Sequence, residues 1–204
     1  MTSITARLAA TLTALAVVVA LAACGSGEER SDAAPQTTDT PVISGEPAGY
    51  NSEDLSFVTS MIPHHEQAIA LSKLVPGRSD NPELVTLADQ IAATQQPEIN
   101  IMRVFLVQWN ENPETNTDDH TGHEQSMPGM VDDATMARLE SLQGAEFDTL
   151  WLQSMIAHHE GAVQMAEAEV QRGENVDAIA IARTMVSAQE AEIGQMKQML
   201  EGTP

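Results

Sequence analysis

Apolar residues recur at steps of three and four along four stretches of the chain. In the first stretch, residues 54–75, two neighbouring rows of this period run side by side. The same spacing returns at 84–109, 151–165 and 181–199, whereas the strict alternation typical of half-buried β-strands is absent. Such wide stripes predict amphipathic helices that bury one face against a neighbour. The pattern therefore predicts an all-α protein with four main helices.

Turn signals group these helices into two hairpins. We expect Ser52 to cap the first helix, and the segments "VPGRSDNP" (75–82) and "QRGEN" (171–175) to separate the helices within each hairpin. Short connections make neighbouring helices antiparallel, so the expected architecture is an antiparallel four-helix bundle. The longer link between the hairpins is expected to hold one short helix, from Asp133 to Leu142.

The two hairpins are copies of one another. The segment "SMIPHHEQAIAL" (60–71) returns as "SMIAHHEGAVQM" (154–165), and "QQPEINIM" (95–102) returns as "QEAEIGQM" (189–196), both at an offset of 94 residues. This repetition indicates an internal duplication. We therefore divide the folded part, residues 52–201, into one repeat at 52–110, a linker at 111–146 and a second repeat at 147–201.

The copies differ at two prolines. Pro63 and Pro97 fall inside predicted helices of the first repeat, where the second repeat has Ala157 and Ala191. A proline removes a helical hydrogen bond and crowds the preceding turn, so we expect kinks at both positions.

The N-terminus has the features of an export signal. An uncharged run from Leu8 to Ala23 is too short to span a membrane comfortably and ends at Cys24, the single cysteine of the chain. The segment Leu21–Cys24 resembles a bacterial lipobox, although a plain signal peptide with a stray cysteine is the alternative. We expect residues 1–23 to be removed, Cys24 to be lipidated, and residues 24–51 to form a flexible tether. The protein would then be exported and anchored at the outer face of the bacterial cytoplasmic membrane.

The charge balance limits the partners. The chain has 30 acidic residues against 9 Lys and Arg, for a net charge of −21. Such an acidic surface argues against nucleic acid and against direct adhesion to anionic lipids. It attracts cations in general, which is not in itself a binding site.

Four histidines occupy positions on the apolar helix faces. His64 and His65 lie in the first repeat, and His158 and His159 lie at the matching positions of the second. Buried imidazoles need partners for both ring nitrogens. The companion helices carry four polar residues that can serve as such partners, namely Gln95, Glu98, Gln189 and Glu192. One interpretation is structural, with His–Glu and His–Gln bonds fixing the helix register.

The other interpretation is a metal site. Imidazole binds several transition metals, and a nearby thioether favours Cu(I). Met61 and Met155 each precede a histidine by three residues, which places sulfur and nitrogen on one helix face. Methionine is also an ordinary core residue. In the metal interpretation, the carboxylates would orient the metal-bound rings from behind.

The linker supplies further candidate ligands. His120, His123, Met127 and Met130 lie within the polar stretch "DDHTGHEQSMPGM" (118–130). These residues either bind copper or belong to a loop whose methionines pack against the bundle.

The motifs "MIPHH", "MPGM", "EFD" (146–148) and "MIAHHEGAVQMA" (155–166) together resemble the domain of unknown function 305 family. The resemblance covers about residues 52–201. It implies a ferritin-like four-helix fold in an exported or lipid-anchored protein. It also implies copper binding, because some members bind copper. The family's His-His pairs correspond to His64, His65, His158 and His159, and its Met-Pro-Gly-Met corresponds to 127–130.

Three functions fit these observations. The first is a non-catalytic protein that sequesters or hands on copper. The second is a ferritin-like two-metal redox enzyme, although the Glu-x-x-His motif usual in such sites is absent from the sequence. The third is a metal-free scaffold whose acidic face meets a protein partner. We expect the first, with another transition metal as an alternative to copper.

Overall fold

The computed structural model describes residues 49–111 and 127–202. The predicted signal peptide, most of the predicted tether, Cys24, His120 and His123 lie outside these ranges.

Five helices and no strand make up the described residues, which confirms the all-α prediction. The helices are α1 (Ser52–Leu74), α2 (Pro82–Gln108), α3 (Asp133–Ser141), α4 (Gly144–Arg172) and α5 (Val176–Gly202). The short linker helix thus ends at Ser141, one residue before the predicted Leu142. In the described ranges, no helix combines the length and the apolar character that a membrane crossing requires.

Asparagines cap three of the helices. The predicted cap at Ser52 is wrong, because Asn51 holds that position and its side chain accepts hydrogen bonds from the N–H groups of Glu53 and Asp54. Asp54 completes a capping box by accepting from the Asn51 N–H. Asn81 caps α2 in front of Pro82, and Asn175 accepts from the first N–H groups of α5. The Asn81 and Asn175 caps occupy matching positions of the two repeats.

The helices continue through both prolines. Pro63 lies inside α1 and Pro97 inside α2, and neither helix ends there. The hydroxyl of Thr59 donates to the Leu55 carbonyl at 2.7 Å in the turn before Pro63.

The two helices of each hairpin run antiparallel, and the repeats use the same contacts. In the first hairpin Arg103 pairs with Glu66, and in the second Lys197 pairs with Glu160 at the matching positions. The hairpins meet through α1 and α4. There the indole N–H of Trp151 donates to the Leu71 carbonyl at 2.9 Å. This bond satisfies a carbonyl in the last turn of α1, where the helix itself offers no partner.

The hydrophobic core consists of two clusters, and each cluster contains residues from all four long helices. One cluster includes Phe57, Met61, Phe105 and Met185, and the other includes Leu71, Leu84, Trp151 and Met155. On α4, for example, the residues of one cluster end at Ile156 and those of the other begin at Ala162. The segment between them carries His158 and His159.

A buried carboxyl pair joins the start of α1 to the end of α4. The Asp54 carboxylate accepts backbone N–H bonds from Asn51, Glu174 and Asn175, at 2.6 to 3.2 Å. These bonds outweigh the opposing effect of burial and lower the pKa of Asp54. Glu169 lies fully buried, and neither of its oxygens receives a hydrogen bond from the described residues. Burial, followed by the bond that a protonated Glu169 makes to Asp54, raises the pKa of Glu169 to about 8.

We therefore expect Glu169→Gln to change the pH dependence of stability. Between the ordinary pKa of 4.5 and about 8, the unfolded chain loses a proton that folded Glu169 keeps, so this residue destabilises the fold as pH rises. Glutamine retains a donor for Asp54 without this penalty. Chemical denaturation should show the variant close to wild type at pH 5 and more stable by about 1–3 kcal/mol at pH 8. Glu167→Gln, an exposed change on the same helix, is the control. A difference that stays constant from pH 5 to pH 8 would contradict this assignment.

Candidate metal centre

Four imidazoles form a polar layer across the middle of the bundle. His64 and His65 lie near the centre of α1, and His158 and His159 near the centre of α4. All four are buried, as predicted, because they occupy the apolar faces of their helices. We call these four residues the imidazole layer. It lies between the two hydrophobic clusters.

The layer brings the two repeats into direct contact. The ring centroids of His64 and His158 lie 3.8 Å apart, with the ring planes inclined by 38°. His159 lies beside His158, at a centroid distance of 6.3 Å. The two His-His pairs therefore meet in one cluster through the contact of His64 with His158.

A tight turn from the linker reaches the layer. The N–H of Met130 bonds to the carbonyl of Met127 at 3.1 Å, and Gly129 has a φ of +78°. Proline followed by a glycine with positive φ is the sequence preference of a type II turn, which explains the order Met-Pro-Gly-Met. The Pro128 carbonyl accepts a hydrogen bond from His64 Nε2 at 3.0 Å. This bond assigns the proton of neutral His64 to Nε2.

Two residues of the long helices hold the turn in place. The side-chain amide of Gln67 donates to the Val131 carbonyl and accepts from its N–H, both at 2.8 Å. A Cβ on Gly161 would overlap the Pro128 carbonyl, and one on Gly129 would overlap backbone at Ala157. The turn therefore packs directly on the backbone of α4. Met127 and Met130 are half-buried at its two ends.

The outer histidines bind the predicted carboxylates. His65 Nε2 lies 2.8 Å from Glu98, and His159 Nε2 lies 2.8 Å from Glu192. With Nε2–H as the donor, each carboxylate fixes one tautomer and leaves the Nδ1 lone pair free. This is the usual role of a carboxylate behind a metal-binding histidine. Gln95 and Gln189 are buried as well, but their Oε1 atoms have no donor among the described residues.

Five buried ring nitrogens of the layer lack a hydrogen-bond partner in the described part of the chain. These are Nδ1 of His64, His65 and His159, together with both nitrogens of His158. Burial lowers the pKa of His64 to about 4, against the opposing effect of the Pro128 bond. Burial also lowers the pKa of His158 to about 2, and the neighbouring His64 adds to this shift. Both rings are therefore neutral near pH 7, with lone pairs that can bind a metal ion.

The remaining candidates have different surroundings. Met61 and Met155 are fully buried, one in each hydrophobic cluster, so both also serve as core residues. No group of three or more His, Cys, Asp and Glu side chains within 49–111 and 127–202 is arranged to hold a metal ion. The arrangement instead offers two adjoining imidazoles, two oriented outer imidazoles and a methionine-flanked turn.

Sequence reasoning missed Gln67, Gly161 and the Pro128 carbonyl. Gln67 and Gly161 occupy matching positions inside otherwise similar repeat segments. That difference is the signal that could have shown where the linker crosses the duplicated helices.

Comparisons with known proteins identify the family and support the fold. The family model for a domain of unknown function, DUF305, matches residues 54–200. A DUF305 protein of Streptomyces coelicolor, described as secreted, is 36% identical with a TM-score of 0.68, over 74% of this chain and 94% of its own. A DUF305 fragment from Deinococcus radiodurans is 29% identical with a TM-score of 0.65, over 76% and 98%. CopM in the Cu(II)-bound form is 31% identical with a TM-score of 0.63, over 73% and 96%.

CopM has also been solved in Cu(I)-bound and silver-bound forms. Among curated proteins, an uncharacterized protein of Acanthamoeba polyphaga mimivirus is 41% identical over 54 residues. That alignment spans 26% of this chain and 36% of the viral protein.

We expect Gly161→Ala to displace the 127–130 turn from α4, because the new methyl group would overlap the Pro128 carbonyl. The loss of tight packing should lower the free energy of unfolding by about 1–3 kcal/mol. Gly194→Ala is the matched control, because it also lies inside a helix but has open space around the added Cβ. Chemical denaturation measures both variants. Equal stabilities for the two variants would show that the turn does not rest on Gly161.

Proposed function

The chain belongs to the DUF305 family, and on this premise we propose that it is an exported protein that binds copper, as Cu(I), at its imidazole layer. The observation that carries this proposal is the contact between His64 and His158, buried and neutral, with unpartnered nitrogens. Neutral imidazole is a good ligand for copper. We propose sequestration or transfer of copper without catalysis.

We assign the ligand roles from the surroundings of each residue. His64 and His158 would supply the central nitrogens. Glu98 and Glu192 would orient His65 and His159, whose free Nδ1 atoms complete the set of imidazole ligands. Met127 and Met130 would contribute thioethers from the turn that contacts His64. Met61 and Met155, one helical turn before His64 and His158, are further candidates.

The comparisons support the choice of metal. CopM shares the fold at 30% identity or slightly above and has been solved with Cu(I), Cu(II) and silver. Silver and Cu(I) both prefer soft ligands, which fits a site with methionine nearby. Export is supported by the apolar N-terminal run and by the Streptomyces relative described as secreted. We propose lipidation of Cys24 as the anchor, on the strength of the lipobox-like Leu21–Cys24 segment.

The direct test is a Cu(I) competition titration of the purified protein against a chromophoric chelator, under reducing conditions. We expect wild type to bind Cu(I), and the double variant His64→Ala/His158→Ala to lose the site. Met127→Leu/Met130→Leu should weaken binding, whereas Met185→Leu, a buried methionine outside the candidate set, should not. Loss in the Met127/Met130 variant alone would move the site to the turn. Absence of Cu(I) binding by wild type would leave the imidazole layer as a scaffold that fixes helix register.

A second prediction concerns the orienting carboxylates. Glu98→Gln/Glu192→Gln keeps the side-chain shape but removes the charges that hold the Nε2–H tautomers of His65 and His159. We expect Cu(I) affinity to fall by roughly 10- to 100-fold, as is usual for partners of metal-binding histidines. Glu66→Gln/Glu160→Gln, which alters exposed ion pairs on the same hairpins, is the control. Equal affinities for the two double variants would remove the carboxylates from the site.

A further inference from the structure

A polar groove of about 850 Å³ opens where α2 and α4 begin and α5 ends. Its walls include Glu83, Thr86, Gln90, Asp148, Gln195 and Gln198. None of its lining residues belongs to the imidazole layer, and none is Lys, Arg or His. Its volume lies within the range of small-molecule sites.

The groove contains a buried aspartate with one unpaired carboxylate oxygen. Asp148 is 8% exposed, and its Oδ1 atom has no hydrogen-bond partner among the described residues. Leaving such an oxygen buried and unpaired is costly. At the matching position of the first repeat, Asp54 accepts three backbone N–H groups, including that of Asn175. The aspartate at this position therefore accepts backbone hydrogen bonds in one repeat and has an unpaired oxygen in the other.

One difference lies in the turn that faces each aspartate. Asn81 matches Asn175, but its N–H donates to the hydroxyl of Ser79 at 3.1 Å. The residue that matches Ser79 in the second turn is Gly173, which has no side chain to compete for the Asn175 N–H. The N–H of Asn81 therefore bonds to Ser79, whereas the N–H of Asn175 bonds to Asp54.

We propose that this groove is a binding site for a small organic cation with a primary ammonium or guanidinium group. Such a group supplies the charged donors that Asp148 lacks, and charge-assisted hydrogen bonds are the strong ones. Glu83 adds a second carboxylate, and the glutamines add neutral acceptors along the walls. The size of the groove favours an organic molecule over a bare metal ion, for which only two carboxylates are present. This site is independent of copper binding.

The test is calorimetric titration of the purified protein with cadaverine, a linear diamine, and agmatine, which carries a guanidinium group, at about 0.15 M salt. This salt concentration screens the general attraction of the acidic surface. We expect saturable binding of at least one probe, weakened about 10-fold or more by Asp148→Asn. Glu83→Gln should also weaken it. Asp89→Asn removes the same charge from an exposed position on α2 outside the groove lining and should leave the affinity within about twofold of wild type.

Three results would overturn the proposal. The first is the absence of saturable binding by both cadaverine and agmatine. The second is equal affinity for the uncharged analogue pentane-1,5-diol. The third is an equal loss of affinity in Asp89→Asn and Asp148→Asn. Circular dichroism checks that each variant is folded. Should Asp148→Asn unfold, Glu83→Gln decides the question, because Glu83 is exposed at the groove and its change leaves the core intact.

Discussion

Four imidazoles buried at the centre of one helical bundle impose the constraint on which the rest of this structure depends. Each ring has two nitrogens that cannot form hydrogen bonds with bulk water once they are buried. Carboxylates of α2 and α5 accept hydrogen bonds from the two outer rings, His65 and His159. The Pro128 carbonyl accepts one from the inner ring of His64. The remaining nitrogens have no partner in the described residues. The layer therefore ties α2, α5 and the linker turn to the two central helices through hydrogen bonds.

The sequence predicts those parts of the fold that leave a helical periodicity or an internal repeat in the chain. Helical spacing identifies the four long helices, and the 94-residue offset matches each histidine and carboxylate of one repeat with its counterpart in the other. A single capping residue is harder to predict, because Asn51 and Ser52 are both good caps and only the folded turn selects Asn51. The contact between His64 and His158 could not be predicted, and the docking of Pro128 on Gly161 left only one signal, the difference between Gln67 and Gly161 at matching positions. Both depend on how separate segments meet, and such meetings leave no period in the chain.

Two differences between the repeats lie where a repeat meets the linker or the other hairpin. Gln67 binds the linker backbone, whereas its counterpart Gly161 leaves room for it. Val75 belongs to the core, whereas its counterpart Glu169 is a buried acid beside Asp54. The shared interior positions keep the hydrogen bonds common to both hairpins. These changed positions therefore mark where a hairpin contacts the linker or the other hairpin.

The turn at 127–130 gives the two halves unequal chemistry where His64 and His158 are in contact. His64 and His158 are equivalent by duplication, and two equivalent residues in contact must lie close to the axis that relates their helices. A single linker can bond to only one side of such an axis. His64 is consequently held in one tautomer by a carbonyl, while His158 keeps two nitrogens without partners. An ion bound at this axis would contact His64, whose tautomer is already fixed, and His158, which could bind the ion through either ring nitrogen.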